Sequence, residues 1–484
     1  MLALGSGILT SLAMPGFGAY PVVFVSLVPL FFALEGKPRF FYGILFGAAF
    51  FALELRWMLT LYRFSPLVVP GYALVILYSA LFLGVFALFV VPSRSTRSGG
   101  FLLFGAPAVF VLLEFARAQG PFGNGFSALY QSLYRTPALI QIATVFGPWA
   151  ITAFIMVVNI AVYLFLRRRR VRYLIIAGGA VATLAAFSLL PVSTEGEKAV
   201  RVAIIASNVR QETKLDARNL PALTERYLDL GRRATAQPTD LVVFPESILP
   251  AYILRDQQLL VALKELAESG NARILFGTGD AREGAIYNTV ALLPRDGGVL
   301  GTYAMVRPVP FGEYIPGRSL WEAIGLRRLI DSFLPLDLTP GRAFEPVDEL
   351  GTPICFESTF PGPARRFVRA GAKILVVVTN DAWFAGSSEL VSHFSEAVFR
   401  AVETRRYVVQ AANGGISGIV DPTGKILALR REEGVLRGTV FARDDRSPYT
   451  RWGNLPLLVF LGACVLVFVA ARIAAPIAKR GTGR

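Results

Sequence analysis

Long apolar runs occupy most of the first 192 residues and return once near the C-terminus. A helix needs about 20 apolar residues to cross a bilayer, and eight stretches reach or approach that length. They cover residues 2–15, 18–34, 40–62, 67–92, 100–118, 145–166, 173–192 and 455–473. The first two are short and are separated by a Pro-Gly-Phe-Gly turn, so we interpret them as a tight helical hairpin, with one broken helix as the alternative.

The pattern changes after residue 192, where short apolar runs bounded by turn residues alternate with amphipathic stretches. Such alternation is typical of a layered α/β domain. The predicted strands are 202–206, 241–244, 274–277, 290–293, 353–355, 374–378, 408–411 and 416–420, and the predicted helices are 220–236, 256–269, 363–370 and 388–404. We therefore expect a transmembrane domain with seven spans over 1–192, a globular domain over 193–454, and a last span with a short cytoplasmic tail over 455–484.

The basic residues predict how the chain is oriented. The net charge is +15, although only 17% of the residues are charged. Basic residues follow every second predicted span: Lys37 and Arg39 after the second, Arg94 and Arg97 after the fourth, Arg167, Arg168, Arg169, Arg170 and Arg172 after the sixth, and Lys479, Arg480 and Arg484 after the eighth. The positive-inside rule places such loops in the cytoplasm, so the globular domain is expected outside it. No nucleic-acid-binding module is visible, and we interpret the charge as a membrane signal with anionic lipid headgroups as partners.

Two residues give the globular domain a chemistry. Cys355 is the one cysteine outside the predicted spans, and Cys464 lies within the last span, so we expect a free thiol rather than a disulfide. Cys355 and Glu246 each fall at or just after the end of a predicted strand, where α/β sheets collect their functional groups. A thiol with a carboxylate base is typical of nucleophilic catalysis. The alternative for a cysteine by itself is an inert, buried apolar side chain.

Five motifs occur in an order that resembles a known family. They are FPES at 244–247, VPFGEYIP at 309–316, ICFE at 354–357, TNDAWF at 379–384 and ANGG at 412–415. The globular part resembles the nitrilase superfamily, and nearly the full chain is similar to the apolipoprotein N-acyltransferases, its membrane-embedded branch. The resemblance implies a polytopic α-helical membrane domain of about eight spans with an extracytoplasmic, nitrilase-like α-β-β-α sandwich. It also implies a Glu-Lys-Cys triad.

The same resemblance implies a role for each matching residue. Glu246 would be the base, Cys355 the nucleophile and Glu313 a further carboxylate that orients the base or an incoming amine. The predicted substrate contacts are Tyr314, Phe356, Glu357, Trp383, Phe384 and Asn413. No cofactor is expected. A metal site is not expected either, because one histidine, His393, and one available cysteine are too few ligands. A Cys355–His393 pair is the rival catalytic arrangement.

One position departs from the family pattern at a place that matters. The catalytic Lys of the family lies eight residues before the Glu of the PFGE string, and this chain has Met305 there. Loss of one such donor typically costs on the order of 10²–10³ in rate. Three interpretations stay open: another cation replaces the lysine, with Arg307 the nearest candidate; the chain is impaired; or Met305 is a deliberate substitution. A smaller departure is Leu215, where the family commonly has Trp.

The resemblance implies acyl transfer through a thioester on the thiol. A phospholipid would donate the acyl chain and the N-terminal diacylglyceryl-cysteine of an apolipoprotein would accept it, at the outer face of a bacterial inner membrane, in a monomer. One alternative is a membrane-tethered carbon–nitrogen hydrolase of the amidase type. A second is a catalytically silent protein that binds lipid or lipoprotein, motivated by Met305.

The apolar insert at 320–340 is either core or an arm that enters the outer leaflet, with Trp321, Leu329 and Phe333 as anchors.

Overall fold

The chain divides into two compact units, which are described separately below. The computed structural model describes residues 1–90, 97–296 and 298–467. The first unit contains Met1–Tyr62, Pro66–Pro191 and the residues from Trp452 onward, and the second contains Val192–Arg451 together with Arg63–Ser65. Several predictions lie outside the described residues: Arg94 in a basic loop, residues 468–473 of the eighth span, and Lys479, Arg480 and Arg484 of the tail.

Helices form the first unit. They are α1 (Leu2–Ala13), α2 (Val28–Ala33), α3 (Arg39–Glu54), α4 (Val68–Phe89), α5 (Arg97–Arg117), α6 (Pro137–Ile140), α7 (Ala143–Phe146), α8 (Trp149–Arg168) and α9 (Arg172–Ala186), with 3₁₀ turns at Tyr20–Phe24, Arg56–Arg63, Leu129–Leu133 and Phe187–Leu189. A further helix covers Leu455–Val467. Apolar side chains such as Leu74 and Leu77 are exposed on α4, as a lipid-facing helix requires.

Fewer helices than expected have the length and composition of a membrane span. Among the described residues, Val68–Phe89, Trp149–Arg168 and Arg172–Leu189 qualify. Arg39–Glu54 and Arg56–Arg63 make a fourth if this pair, bent by 49°, is counted as one span. The shorter apolar helices are Leu2–Ala13, Tyr20–Ala33, Pro137–Phe146 and Leu455–Val467. The eight spans therefore stay a prediction.

Buried polar side chains inside the first unit are hydrogen-bonded within it. Asn159 on α8 accepts from the Leu27 N–H at 2.9 Å and donates to the Val23 carbonyl at 2.7 Å. Glu114 on α5 accepts from the Leu129 N–H at 2.9 Å, at the start of a 3₁₀ turn. An apolar environment penalises unpaired polar groups, so these bonds fix how the short segments pack against the long helices.

Two sheets and their covering helices form the second unit. The strands are β1 (Lys198–Ala206), β2 (Leu241–Val243), β3 (Arg273–Arg282), β4 (Ala285–Leu293), β5 (Gly301–Ala304), β6 (Leu350–Gly351), β7 (Ile374–Asn380), β8 (Val408–Asn413), β9 (Ser417–Val420), β10 (Ile426–Arg430) and β11 (Gly434–Ala442). The helices are α10 (Gln211–Leu215), α11 (Leu220–Thr235), α12 (Gln257–Ser269), α13 (Arg318–Ala323), α14 (Arg327–Phe333), α15 (Pro361–Arg369), α16 (Glu389–Thr404) and α17 (Pro448–Trp452), the last of which ends in the first unit.

The sheets stack face to face. One has the order β11-β1-β2-β3-β4-β5 and the other β10-β9-β8-β7-β6. Parallel pairing joins β1 to β2 to β3 in the first sheet and β6 to β7 to β8 in the second, and the remaining neighbours are antiparallel. Strand β1 contacts β8 across the interface, α11 and α12 pack on the first sheet, and α15 and α16 pack on the second. The expected α-β-β-α order of layers is confirmed.

The apolar periodicity explains why α11 lies where it does. Leu223, Tyr227, Leu230 and Ala234 recur at helical spacing and join one buried cluster with the first sheet. Burying a large apolar side chain contributes about 1.5–3 kcal/mol, so this stripe orients the helix.

One predicted strand is wrong. Residues 353–355 form no strand: Ile354 makes a single bridge to Val378, and Cys355 begins a 3₁₀ turn, Cys355–Thr359. Pro353 has no N–H to donate to a ladder, and Cys355 has a φ of +46°, which no strand residue adopts. The sequence analysis also missed four strands. The positions of β5, β10 and β11 are mostly half-buried and show little of the apolar pattern, and β6 has only two residues.

Gly277→Ala should destabilise the second unit. A Cβ at this position would lie 2.5 Å from the Glu246 Cα and 2.7 Å from the Ser247 nitrogen. Overpacking of this kind costs about 1–3 kcal/mol, so the thermal unfolding midpoint of the purified full chain in detergent should fall. Gly362→Ala is the matched control, because nothing lies within 4 Å of its added Cβ. Equal midpoints for the two variants would contradict the close approach at Gly277.

Candidate active site

The loop after β2 places Glu246 at the end of the first sheet. The Phe244 N–H bonds to the Leu275 carbonyl at 2.8 Å, and the Gly277 N–H bonds to the Pro245 carbonyl at 3.1 Å, so the loop stays attached to β3. The Glu246 side chain is 7% exposed. Withdrawal from water raises the pKa of a carboxyl group, so its carboxylate form binds a proton more tightly, which is what a base that accepts a thiol proton near neutral pH requires.

Cys355 stands at a sharp backbone turn. Its φ of +46° is in the left-handed region, which a non-glycine residue adopts at some cost. Its carbonyl oxygen accepts from Ser358 Oγ at 2.7 Å, and His393 Nε2 lies 3.1 Å from the same oxygen. These contacts fix the backbone of the turn. Cys355 itself is partly buried.

Asn288 on β4 joins two of the predicted acids. Its amide nitrogen donates to Glu246 Oε1 at 2.6 Å and to Glu313 Oε1 at 3.0 Å. The other Glu246 oxygen, Oε2, is buried and has no hydrogen-bond partner at standard distance among the described residues. The sequence analysis missed Asn288, because an asparagine within a strand carries no motif that marks it.

Burial raises the pKa of Glu246, and the Asn288 amide, the Lys214 ammonium and the nearby Cys355 thiol oppose this rise. Burial also raises the pKa of Cys355 well above its usual value, and the negative charges of Glu246 and Asp381 raise it further. The resting sulfur is therefore a thiol. Attack by sulfur needs a base that removes the proton as the new bond forms, and a buried carboxylate beside the thiol has the chemistry that such a base requires.

Glu313 and Glu357 add two more buried acids to the same region. Burial, and then the charge of Glu246, raises the pKa of Glu313 to about 7, while its Oε2 accepts from the Val309 N–H at 2.7 Å. Burial raises the pKa of Glu357 to about 7 as well. Glu357 accepts from the Tyr303 hydroxyl and from the Val306 N–H, each at 2.8 Å. Glu357 therefore fixes the segment that carries residue 305.

Met305 is buried in this segment and brings no charge. Its side chain is 1% exposed, and its Sδ lies 3.8 Å from Asn288 Nδ2. The guanidinium of Arg307, the replacement cation suggested by the sequence, lies over the Phe360 ring with 3.5 Å to the centroid. Burial lowers the pKa of Arg307 to about 10.

A different cation lies next to Glu246. Lys214 on α10 is 5% exposed, and its Nζ donates to the Glu246 backbone carbonyl at 3.3 Å. Burial lowers the pKa of Lys214 to about 8, although the Glu246 carboxylate opposes this shift. The sequence analysis discussed the neighbouring Leu215 and missed Lys214, because a lysine in a short polar stretch is usually on the surface.

His393 is buried and contacts the turn that carries Cys355. Its Nδ1 lies 2.9 Å from Asp381 Oδ1 and its Nε2 lies 2.8 Å from Ser358 Oγ. Burial lowers the pKa of His393, but the Asp381 carboxylate outweighs this effect and raises it to about 10. Asp381, Glu389 and His393 bring metal-type ligand atoms within 4.8 Å of one another. Two of these ligand atoms, His393 Nδ1 and Asp381 Oδ1, already pair with each other.

Trp383 and Phe384 are half-buried on the 3₁₀ turn Asp381–Phe384. Phe64 makes an edge-to-face contact with Trp383, with 4.9 Å between ring centroids. The Arg63 guanidinium donates to the carbonyls of Ala382 at 2.8 Å and Trp383 at 3.1 Å. The sequence analysis missed both partners, because they lie about 320 residues away from this turn.

The other predicted substrate contacts are distributed around the turn. Phe356 makes an edge-to-face contact with Phe360 at 4.9 Å, and Tyr314 is half-buried, with its carbonyl bonded to the Phe311 N–H. Asn413 is fully buried, accepts from Ser207 Oγ at 2.9 Å and donates to Asn380 Oδ1 at 2.8 Å. Substrate contact by these residues, and by Glu357, stays a prediction.

The insert at 320–340 is built as two short helices with exposed apolar side chains. Leu320, Ile324 and Leu329 are exposed on α13, α14 and the turn between them. Arg318 pairs with Asp331 at 2.9 Å and with Asp337 at 2.7 Å, which ties the two ends of the insert together.

Comparison with known proteins decides the family. Residues 6–161 match the family described as apolipoprotein N-acyltransferase N-terminal domain, and residues 201–444 match the carbon–nitrogen hydrolase family. The apolipoprotein N-acyltransferase of Geobacter metallireducens is 33% identical over 96% of this chain and 93% of its own length. The chain belongs to the apolipoprotein N-acyltransferase family. The Thermotoga maritima apolipoprotein N-acyltransferase is 31% identical, with 97% of this chain and 93% of that protein covered.

Membership in the apolipoprotein N-acyltransferase family agrees with the resemblance found in the five motifs. The carbon–nitrogen hydrolase match covers the two sheets from β1 to β11. Among solved structures, the chain is similar to Saccharomyces cerevisiae Nit3, a member of branch 10 of the nitrilase superfamily. The TM-score is 0.40 and the identity 20%, with 52% of this chain and 93% of that chain covered.

His393→Gln should destabilise the protein most at low pH. The pKa of His393 in the folded protein is about 10, above its ordinary value of 6.5. The stability that protonated His393 adds to the folded state is therefore fully present below pH 6.5 and is lost as the pH rises through 10. Breaking a buried pair costs about 3–5 kcal/mol, and the variant should unfold at a clearly lower temperature at pH 6. Its difference from the unmodified chain should narrow at pH 8 and again at pH 10. A difference that stays constant or grows with pH would contradict a protonated His393.

Proposed function

We propose that this protein N-acylates the N-terminal diacylglyceryl-cysteine of apolipoproteins, taking the acyl chain from a phospholipid through a thioester on Cys355. The single observation that carries this proposal is the position of Glu246. Its buried Oε2 has no hydrogen-bond partner at standard distance among the described residues, Glu246 and the Cys355 thiol are close enough to shift each other's pKa, and the pKa values of both groups are raised. Family membership supplies the substrates, because the named relatives are apolipoprotein N-acyltransferases.

The first half-reaction forms the thioester. Glu246 takes the thiol proton while the Cys355 sulfur attacks the ester carbonyl carbon of the phospholipid. The carbon–oxygen bond to the glycerol breaks, and the leaving oxygen takes the proton from Glu246. The products are the S-acyl enzyme and a lysophospholipid.

The second half-reaction transfers the acyl chain. The neutral α-amino group of the diacylglyceryl-cysteine attacks the thioester carbon, and its surplus proton passes to Glu246. The carbon–sulfur bond then breaks, and the sulfur regains a proton from Glu246. Glu313 shares the Asn288 amide with Glu246, and so it is placed to keep that base oriented through both steps. The Phe356 N–H, directly after the nucleophile, is the nearest backbone donor for the developing oxyanion.

The surroundings of the site favour lipid substrates over small polar amides. The insert exposes leucine and isoleucine side chains, and Trp383 and Phe384 are half-buried aromatic residues near the nucleophile turn. Exposed apolar groups of this kind suit acyl chains at a bilayer surface. We propose that the second unit lies on the outer side of a bacterial inner membrane. Basic residues such as Arg167 and Arg168 follow every second predicted span and mark the cytoplasmic loops, which supports this orientation. We propose a monomer.

One observation favours a second candidate, a silent homologue that binds lipid or lipoprotein. Met305 is buried and uncharged at the position where the family's catalytic lysine is expected. Such a protein would keep the apolar insert and the membrane helices and would form no thioester. The two candidates differ in whether Cys355 becomes acylated.

Incubation of the purified full chain with phosphatidylethanolamine should add one acyl group to Cys355, detected by intact-mass and peptide mass spectrometry. Cys355→Ala should abolish the adduct, and Glu246→Gln should slow its formation on the order of 10²–10⁴-fold, because general-base assistance is lost. Cys464→Ser is the matched control and should keep the adduct. Intact lipid binding without an adduct on the unmodified chain would favour the silent homologue.

A further inference from the structure

Negative groups crowd the buried surroundings of the nucleophile. The charges of Glu246, Asp381 and Glu313 all raise the pKa of the Cys355 thiol, and the charge of Glu246 also raises the pKa of Glu313. Ionising any one of them in a site of low polarity is costly unless a positive charge lies close by. Residue 305 cannot supply that charge, because a thioether is neutral. The site therefore requires a cation from another position.

Lys214 is the cation that the fold brings to the base. Its Nζ donates to the backbone carbonyl of Glu246 at 3.3 Å, and only 5% of the residue is exposed. Burial of an ammonium carries a large desolvation penalty, and the neighbouring Glu246 carboxylate offsets part of it. The Arg307 guanidinium lies over the Phe360 ring, 3.5 Å from its centroid, whereas Lys214 Nζ contacts the Glu246 backbone carbonyl at 3.3 Å.

A chain of buried amides holds the helix that carries Lys214. Asn413 Nδ2 donates to Asn380 Oδ1 at 2.8 Å, and Asn380 Nδ2 donates to Gln211 Oε1 at 2.9 Å. Gln211 is the first residue of α10 and is 4% exposed. The Asn219 side chain also donates to the Thr213 carbonyl at 3.0 Å. Lys214 is therefore a fixed part of the site rather than a mobile surface side chain.

We propose that Lys214 is a positioning residue that supplies the positive charge next to Glu246 and so keeps this base ionised in a site where residue 305 is neutral. The proposal rests on the proposed function, since it concerns the base of the same reaction. Asn288, Asp381, Glu313 and Cys355 also face Glu246, and none of them is a cation.

The pH dependence of the reaction follows from the two charges. The reaction speeds up as Glu246 loses its proton and slows down as Lys214 loses its own, near pH 8. Removal of the ammonium raises the pKa of Glu246, because the lysine charge lowers that pKa. Each unit of this rise reduces the ionised fraction of Glu246 about tenfold at a pH below its pKa.

Two variants at position 214 separate charge from structure. Lys214→Met keeps the length of the side chain and removes its charge, whereas Lys214→Arg keeps the charge. We expect the Lys214→Met variant to form the acyl adduct at a rate about 10-fold or more lower at neutral pH. In a plot of its acylation rate against pH, the rise should move to higher pH, and the fall near pH 8 should be absent. Lys214→Arg should retain the rising limb and lose the fall near pH 8, because arginine stays protonated. Lys198→Met is the matched control at an exposed lysine and should change neither limb.

A second site tests whether the charge itself is what matters. Met305→Lys places an ammonium in the same buried region, where Met305 Sδ contacts Asn288. Added to Lys214→Met, it should restore the rising limb and most of the rate. A loss that neither Lys214→Arg nor Met305→Lys restores would assign Lys214 a purely structural role and overturn the proposal, as would an unchanged profile in Lys214→Met.

Alkylation of Cys355 by iodoacetamide, followed across pH in the Cys464→Ser background, gives a readout that needs no lipid. Glu246 assists loss of the thiol proton here too, so Lys214→Met should shift this profile to higher pH. If the unmodified chain forms no acyl adduct, the proposed function fails, and the alkylation profile still decides the role of Lys214. If the adduct forms and the alkylation profile of Lys214→Met does not move, the role of Lys214 fails and the proposed function stands.

Discussion

Withdrawal of charged groups from water is the constraint on which the candidate site depends. Glu246, Glu313 and Glu357 are carboxyl groups in a region of low polarity, and burial is the largest cause of the raised pKa of each. A carboxyl group in water would be a weak base at neutral pH. The same burial makes every hydrogen bond in the site stronger and every missing partner more costly. The two sheets and the loops at their ends provide this environment, so the fold and the reactivity of the site share one cause.

Backbone conformation, as well as side-chain contacts, determines the positions of Cys355 and Glu246. Cys355 occupies a left-handed turn whose carbonyl is held by Ser358 and His393, and Glu246 occupies a loop held against β3 through Gly277. A strained residue persists where its surroundings determine it from several sides. The ion pair of His393 with Asp381 is one such determinant, and it is fully buried.

Much of the layered fold could be predicted from the sequence, because apolar periodicity reports directly on burial. Seven of the eight predicted strands coincide with observed strands, and α11 follows its apolar stripe. The motifs also located Glu246 and Cys355. Asn288 and Lys214 could not be found in this way, because their importance comes from contacts between distant segments and no local pattern encodes such contacts. The prediction of a strand at 353–355 was wrong for a local reason, because a proline and a residue with positive φ interrupt an otherwise apolar run.

The contribution of Arg63–Ser65 to the second unit bears on how this protein can be divided. These three residues group with Val192–Arg451, and Phe64 and Arg63 contact the segment that carries Trp383. A truncated version that starts at residue 192 would lose the contact of Phe64 with the indole of Trp383 and the hydrogen bonds that Arg63 donates to the carbonyls of Ala382 and Trp383. Autonomous expression of the nitrilase-like part would therefore yield a domain lacking a piece of its own surface, supplied in the intact chain by a tripeptide far upstream.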